Sequence, residues 1–307
     1  MELRQLEAVV GIADHGTFSG AAEALGTVQS NISTRVARLE AELGTALVDR
    51  STGSLTDSGR VVVERARRML AEREAIAADV SEMTATLRGQ VALGMIGTAG
   101  RWIVPLLLAA QRATYPRVQL RIVEGSNSTL VPQVVHGQLD LAVLAWPVDE
   151  PELTVTELFA EDLVLVVPVG HELAGPGPVT LRTLSRYDLL LPLTGTPIRR
   201  EIDQAASAHG VELSARLEMD GLRTIASLTF DGLGIAILPA SMLSARLRDQ
   251  FVAVPIEGVQ RRRAVLVGRR FGFPSAPTRA IGALLIDVVA GASNVPAGVH
   301  VGTTARR

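Results

Sequence analysis

Two sets of residues in this 307-residue chain combine side-chain type and spacing in a way that suits chemistry. The first is QSNIS (29–33), at the start of a helix-like run that continues TRVARLEAEL. On a helical wheel Ser30, Ser33, Thr34, Ala37 and Ala41 lie opposite the apolar positions, with Asn31 and Arg38 toward one edge and Gln29 toward the other. Small polar residues permit close approach, and a Gln or Asn carboxamide can bond bidentately to adenine. A helix entering the major groove sets its N-terminal residues against base edges, and its free N–H groups favour phosphate. Thr17, Ser19, Arg35 and Arg50 are candidates for phosphate contacts. Arg35 points nearer the apolar side, where its stem can instead lie over the core edge.

The second set is three short loops. GTAG (97–100, with Thr98, Ala99 and Gly100), SNS (Ser126, Asn127, Ser128) and TGT (Thr194 and Thr196 about a glycine) each follow a β-rich run and precede a helical one. In open α/β sheets, ligands sit outside the carboxyl ends of strands. Hydroxyls and exposed N–H groups at a helix start there make a seat for a carboxylate or another anion. Trp146, just after LDLAVL, can wall such a ligand or simply pack at a strand end. Arg101, Arg199, Arg200 and Arg223 are possible ligand partners, but each fits a solvated or ion-paired surface role better.

Other chemistries lack their residues. There is no cysteine, which excludes disulfides, thiolate nucleophiles and Cys-ligated metals. The five histidines (15, 136, 171, 209 and 300) are scattered, without metal-ligand spacing or nearby paired carboxylates of catalytic type. No catalytic residue, metal site or cofactor is expected.

The elements that must position these residues follow from periodicity. Leu3, Leu6, Val9 or Val10, and Ala13 recur at helical spacing until Gly16 closes the helix. Thr17 or Ser19 can cap a short helix ended by Gly26, and Thr27 can cap a third, whose stripe is Val28, Ile32, Val36, Leu39 and Leu43. Two short helices joined by a tight turn containing Gly form a helix-turn-helix, and STGSLTDSG reads as a small wing. Residues 1–60 thus form a winged head. A long helix over 58–87 follows, with Val62, Ala66, Met69, Arg73, Ile76, Val80, Met83 and Leu87 in the heptad steps of a coiled-coil seam. Only Arg73 breaks the stripe. Its narrowness among charged positions suits a partner helix better than packing on the chain's own domain, so residues 61–88 are expected to be a linker and dimerisation helix.

After Gly89 short β-rich runs alternate with helical segments, the pattern of a mostly parallel sheet covered on both faces. Strands are expected at 90–96, 118–124, 139–144, 163–168, 188–192, 214–219, 234–239, 251–256 and 263–270, with a closing helix near 277–290. Residues 89–293 make two α/β lobes with a cleft between them, and 294–307 read as a mobile tail.

Composition narrows the class. At 47% hydrophobic and 20% charged the chain is of folding composition, and with only 3% aromatics its core must be aliphatic. No apolar stretch approaches the ~20 residues of a bilayer span, and the N-terminus lacks the pattern of a secretion signal, so a cytoplasmic protein without a membrane partner is expected. Net charge is −2, and residues 1–60 hold five Arg against eight Asp and Glu. Nucleic-acid binding there must rest on local geometry, not bulk charge.

In order and spacing, LRQL (3–6), TFSGAAEAL (17–25), QSNIS (29–33), LEAELG (39–44), Asp49-Arg50 and LTDSG (55–59) resemble the helix-turn-helix of the LysR-type transcriptional regulators. GQVALG (89–94), Tyr115-Pro116, GQLDLA (137–142) and DGLGIAILP (231–239) resemble that family's effector-binding domain. The resemblance runs from residue 1 to about 292. It implies an α+β multidomain protein: a winged helix-turn-helix, a linker helix and a two-lobed, periplasmic-binding-protein-like effector domain. It implies a sequence-specific regulator that binds double-stranded operator DNA, modulated by a small anionic or polar effector held by the same three loops. The implied partners are a second copy through the linker helix, a tetramer of such dimers, and RNA polymerase. Four departures bear on the DNA contacts. Val48 stands where the family usually has Phe, the wing is about two residues short and lacks its tip Arg, Gly20 replaces a polar residue, and Thr34 a basic one. An enzyme or a small-molecule-binding protein on a two-lobed scaffold with an appended helical domain is the alternative class.

Overall fold

The computed structural model describes residues 1–83, 87–243 and 249–302. Its head is α1 (Leu3–His15), α2 (Phe18–Ala24) and α3 (Gln29–Leu43). Leu6, Val9, Ile12, Ala21, Ala22, Ile32, Val36 and Leu39 close one small aliphatic core. Gly16 ends α1 in the left-handed region, as the spacing predicts. Val28 and Leu43, expected on the apolar stripe of α3, are exposed, because they stand at its two ends beyond the reach of α1. Val48, in the place of the family's usual Phe, is buried in the core.

The linker helix α4 (Asp57–Met83) starts where Thr56 accepts from the amide of Gly59. At 1.5 Å per residue it is about 40 Å long. Its expected seam divides. Val62 and Ala66 belong to the head's own core, with Val63 between them, while Met69, Ile76 and Val80 stay exposed. The flank beside that stripe meets the effector domain. Arg68 donates to the Val135 carbonyl, and Asp79 accepts from the amide of Ala276 and pairs with Arg279. Residues 84–86, within the expected helix, lie outside the described residues.

The rest of the chain runs β1 (Gly89–Ile96), α5 (Gly97–Thr114), β2 (Val118–Gly125), α6 (Asn127–Val135), β3 (Leu141–Ala145), β4 (Leu153–Glu161), β5 (Leu163–Pro168), β6 (Val179–Thr180), α7 (Leu181–Leu184), β7 (Asp188–Pro192), α8 (Pro197–Ala208), β8 (Ser214–Met219), α9 (Leu222–Phe230), β9 (Ile235–Pro239), β10 (Phe251–Glu257), β11 (Arg262–Arg269), α10 (Ala276–Ala290) and β12 (Val299–His300). Two six-stranded sheets result, in the orders β12-β4-β11-β3-β1-β2 and β6-β10-β5-β9-β7-β8.

The expectation of mostly parallel sheets is corrected to mixed ones. β1, β2 and β3 run parallel, as do β7, β8 and β9, but β4, β11, β5 and β10 pair antiparallel to them or to each other. The physical reason is the double crossing between lobes. The chain leaves the first lobe through β4 into β5 and returns through β10 into β11. β5 and β11 therefore enter their sheets from the crossing end and run against their neighbours, while β4 and β10 keep the direction of the parallel strands. Much of the expected tail is also ordered, since β12 pairs with β4 and His300 Nε2 lies 2.8 Å from Asp162 Oδ2. Residues 303–307 of that segment lie outside the described residues.

Candidate DNA-reading face and ligand cleft

The turn before α3 sets the first site. Thr17 caps α2 by accepting from the Gly20 amide at 2.9 Å. Gly20 suits this place because a Cβ there would meet Thr17 Oγ1 at 3.0 Å and the His15 carbonyl at 3.2 Å. Thr27 does not cap α3: the cap position falls on Val28, which has no side-chain acceptor, so the first turn of α3 carries no side-chain cap. Thr27 instead accepts from Asn31 Nδ2 at 2.9 Å.

Gln29, Ser30, Asn31, Thr34 and Arg38 are exposed together on α3, with Ser33 and Arg35 half-buried. Ser19 donates to Gln29 Oε1 at 3.2 Å, which joins the two helices at this face. Thr34 turns its hydroxyl back to the Ser30 carbonyl at 2.8 Å, which engages its only donor. Arg50 is drawn away, with Nη2 3.2 Å from Glu40 Oε2. The other oxygen of Glu40 accepts from the amides of Leu47 and Val48, so this carboxylate also anchors the base of the wing.

The wing is a single bridge between Val48 and Leu55 closed by a tight turn. Asp49 Oδ1 accepts from the Ser51 hydroxyl and amide, and these bonds hold its carboxyl below the usual aspartate range. The wing therefore presents a fixed negative charge and no free cation among the described residues. Gly59 is required where the wing meets α4, since a Cβ would lie 2.0 Å from the Leu47 carbonyl oxygen.

The second set of residues stands at the carboxyl ends of β1, β2 and β7, with Trp146 at that of β3. Thr98, Ala99 and Gly100 are buried in the first turn of α5, which has no side-chain cap. Thr98 Oγ1 is buried with no hydrogen-bond partner among the described residues, and so is Trp102 Nε1 one turn later. Asn127 is committed locally: its carboxamide donates to the Ala145 carbonyl at 2.6 Å and accepts from the Ala145 amide at 3.1 Å. It thereby ties the start of α6 to the end of β3. Ser126 and Ser128 are exposed and share a bond at 2.8 Å.

Trp146 is half-exposed under the Arg263 guanidinium, whose carbon is 4.7 Å from a ring centroid. Thr196 caps α8, and Thr194 donates to Glu218 at 3.1 Å. Bonds from Arg199 first, then Thr194, hold the Glu218 carboxyl below the usual glutamate range.

The nearby arginines are engaged. Arg199 is buried against Asp203, Glu218 and the Pro192 carbonyl, and Arg200 donates to the Gly195 carbonyl. Arg223 pairs with Glu124 across the lobes, and Arg101 stands 6.0 Å over the Phe230 ring. Sequence reading missed the Glu124–Arg223 clasp and the buried partners Glu161, Ser241 and Arg262 between the lobes. Each pair is 80 to 101 residues apart in the chain, so no local spacing could signal it.

A helix-turn-helix with a wing, joined by a long helix to a two-lobed domain whose cleft opens at strand ends, defines a ligand-responsive DNA-binding protein. Residues 3–60 match the model of the bacterial regulatory helix-turn-helix proteins of the lysR family, and residues 84–290 match the LysR substrate binding domain. The chain belongs to the LysR family and is a DNA-binding transcriptional regulator of that type. It is 33% identical over 276 residues to a probable hydrogen peroxide-inducible genes activator of Mycobacterium avium, covering 87% of this chain and 85% of that one. It is 27% identical over 277 residues to the dual regulator OxyR of Escherichia coli, covering 89% and 91%. A full-length OxyR structure from Pseudomonas aeruginosa superposes with a TM-score of 0.74 at 24% identity, covering 95% and 96%, which supports the fold.

Proposed function

We propose that two copies of this chain grip double-stranded operator DNA in the cytoplasm, and that an anionic or polar small molecule between the lobes tunes that grip. The observation that carries the reading is the face of α3. It is exposed, uncapped, small and polar, and it stands on a buried aliphatic core. Gln29, Ser30, Asn31 and Ser33 would read base edges, while Thr17, Ser19, Thr34, Arg35, Arg38 and Arg50 would border the backbone. The exposed stripe Met69, Ile76 and Val80 offers the second copy a helix seam, and a tetramer and RNA polymerase are further partners in this reading.

The seat for the effector comprises Thr98, Ala99 and Gly100, Ser126, Asn127 and Ser128, Thr194 and Thr196, with Trp146 as wall. Thr98 supports it most, because its buried hydroxyl has no internal partner among the described residues and stands at an uncapped helix start. The ligand here is an effector and not a substrate.

Hydrogen peroxide enters through the names of the relatives. This chain has no cysteine, so a thiol cannot be its trigger, and a reversibly bound ligand fits the residues better. A thermal-shift screen of small carboxylates and other polar metabolites on the full chain tests the seat. A compound that raises Tm for the wild type and not for Thr98→Val supports it. An equal rise in both variants rejects the first loop.

A further inference from the structure

Both crossings between the lobes carry buried charge. Glu161, the last residue of β4, is 2% exposed and accepts from Arg262 Nη1 at 3.2 Å. Arg262 opens β11 on the returning crossing, and its Nε donates to Glu201 of α8 at 2.7 Å. The other oxygen of Glu161 accepts from the Ser241 amide at 3.1 Å, in the 3-10 turn Ala240–Met242 that follows β9. Ser241 in turn donates its hydroxyl to the Thr98 carbonyl at 3.1 Å. Burial raises the Glu161 carboxyl above the usual range, and Arg262 opposes that rise by favouring the charged form.

These contacts form one chain of bonds with informative ends. It begins in the first turn of α5, at Thr98. It ends on Glu201, one turn into the helix that Thr196 caps. Two helix starts, one in each lobe, are thus linked through the interior, by way of both crossings. Buried charges tolerate few arrangements, because breaking one partner leaves the other desolvated and unpaired. A relay made of them favours a small number of discrete lobe positions over continuous flexing.

We propose that Ser241, Glu161 and Arg262 are positioning residues that couple the first turns of α5 and α8, so that a change at one cleft loop is felt at the other. The inference rests on the reading that the effector sits between those turns, yet its test needs no effector. Hydrogen exchange is followed on the full-length wild type, Ser241→Ala, Glu161→Gln and the double variant. Ser241→Ala removes only the hydroxyl bond to Thr98 and lies in a different segment from α8. The expected result is exchange at least threefold faster in both 97–102 and 199–202, with the rest of α8 and the head unchanged.

The double variant should add little to the larger single effect, because both substitutions cut one relay. Glu161→Asp, which keeps the charge, should bring α8 part of the way back. Three outcomes overturn the proposal: acceleration confined to 97–102, a uniform rise over the whole chain, or additive effects at 199–202. None of these bears on whether a ligand occupies the cleft, which the Thr98→Val thermal shift tests separately.

Discussion

Gln29 is the residue on which base reading depends most. Its side chain is exposed at the first position of α3, and its recorded contact is the weak bond from Ser19 at 3.2 Å. Gln29→Ala should therefore cost the head little, within about 0.5 kcal/mol, as expected of an exposed position away from caps and the core. A bidentate carboxamide–adenine pair contributes about 1–3 kcal/mol of discrimination. Each half-site should then lose about 5- to 150-fold in affinity, and a dimer with two altered heads about the square of that. The slope of log affinity against log salt should not move, because no phosphate contact is removed. The assay is fluorescence anisotropy against a DNA site selected by the wild-type protein, at three salt concentrations, with Tm recorded in parallel. Operator affinity within about twofold of wild type would refute the reasoning. So would a loss matched by an equal loss on unrelated DNA.

Three further outcomes follow from local geometry. Gly59→Ala would press a Cβ to 2.0 Å from the Leu47 carbonyl oxygen, so the head should lose at least about 2 kcal/mol, measured by denaturant unfolding. Thr17→Ala removes the cap of α2 and should cost about 1 kcal/mol, with DNA binding weakened no more than that loss and a phosphate contact allow. Glu218 is held ionised by Arg199 and Thr194, so its contribution is fully present above the ordinary glutamate value near pH ~4.3 and is lost as pH falls below it. The stability gap between wild type and Glu218→Gln should accordingly close on acidification, and a gap that widens would contradict the assignment.

How much of this was legible in sequence depends on the range of each contact. Most helix starts and stops of the head came through, because Gly16, Thr17 and Gly26 act within one turn of themselves, but the cap position of α3 falls on Val28 and not on Thr27. The strands flanked by glycine or proline also read well: 163–168, 188–192 and 214–219 match β5, β7 and β8 residue for residue. β4 was missed although Pro151 bounds it, since LTVTELFAE mixes polar and apolar residues and lacks the apolar run by which most other strands are read.

Two positions of the expected α4 seam pack on the head instead. Periodicity locates a stripe, but it cannot tell a partner helix from the chain's own head, which takes Val62 and Ala66. Among the site residues, Asn127 shows the same limit. Its residue type suited a ligand contact, while its actual bonds fasten α6 to β3. Thr98 shows the converse, because only burial reveals that its hydroxyl has no internal partner among the described residues. The relay through Glu161 lay beyond sequence reading, as its members meet only after both lobes have closed.

The central claim is that α3 of a paired head reads DNA, and selection from random-sequence duplexes tests it most directly. The full-length protein should enrich a two-fold symmetric motif whose half-sites are separated by about one helical turn of ~10.5 base pairs or a multiple of it, and Gln29→Ala should lose it. Recovery of no motif, or of the same motif by the Gln29→Ala variant, would contradict the account.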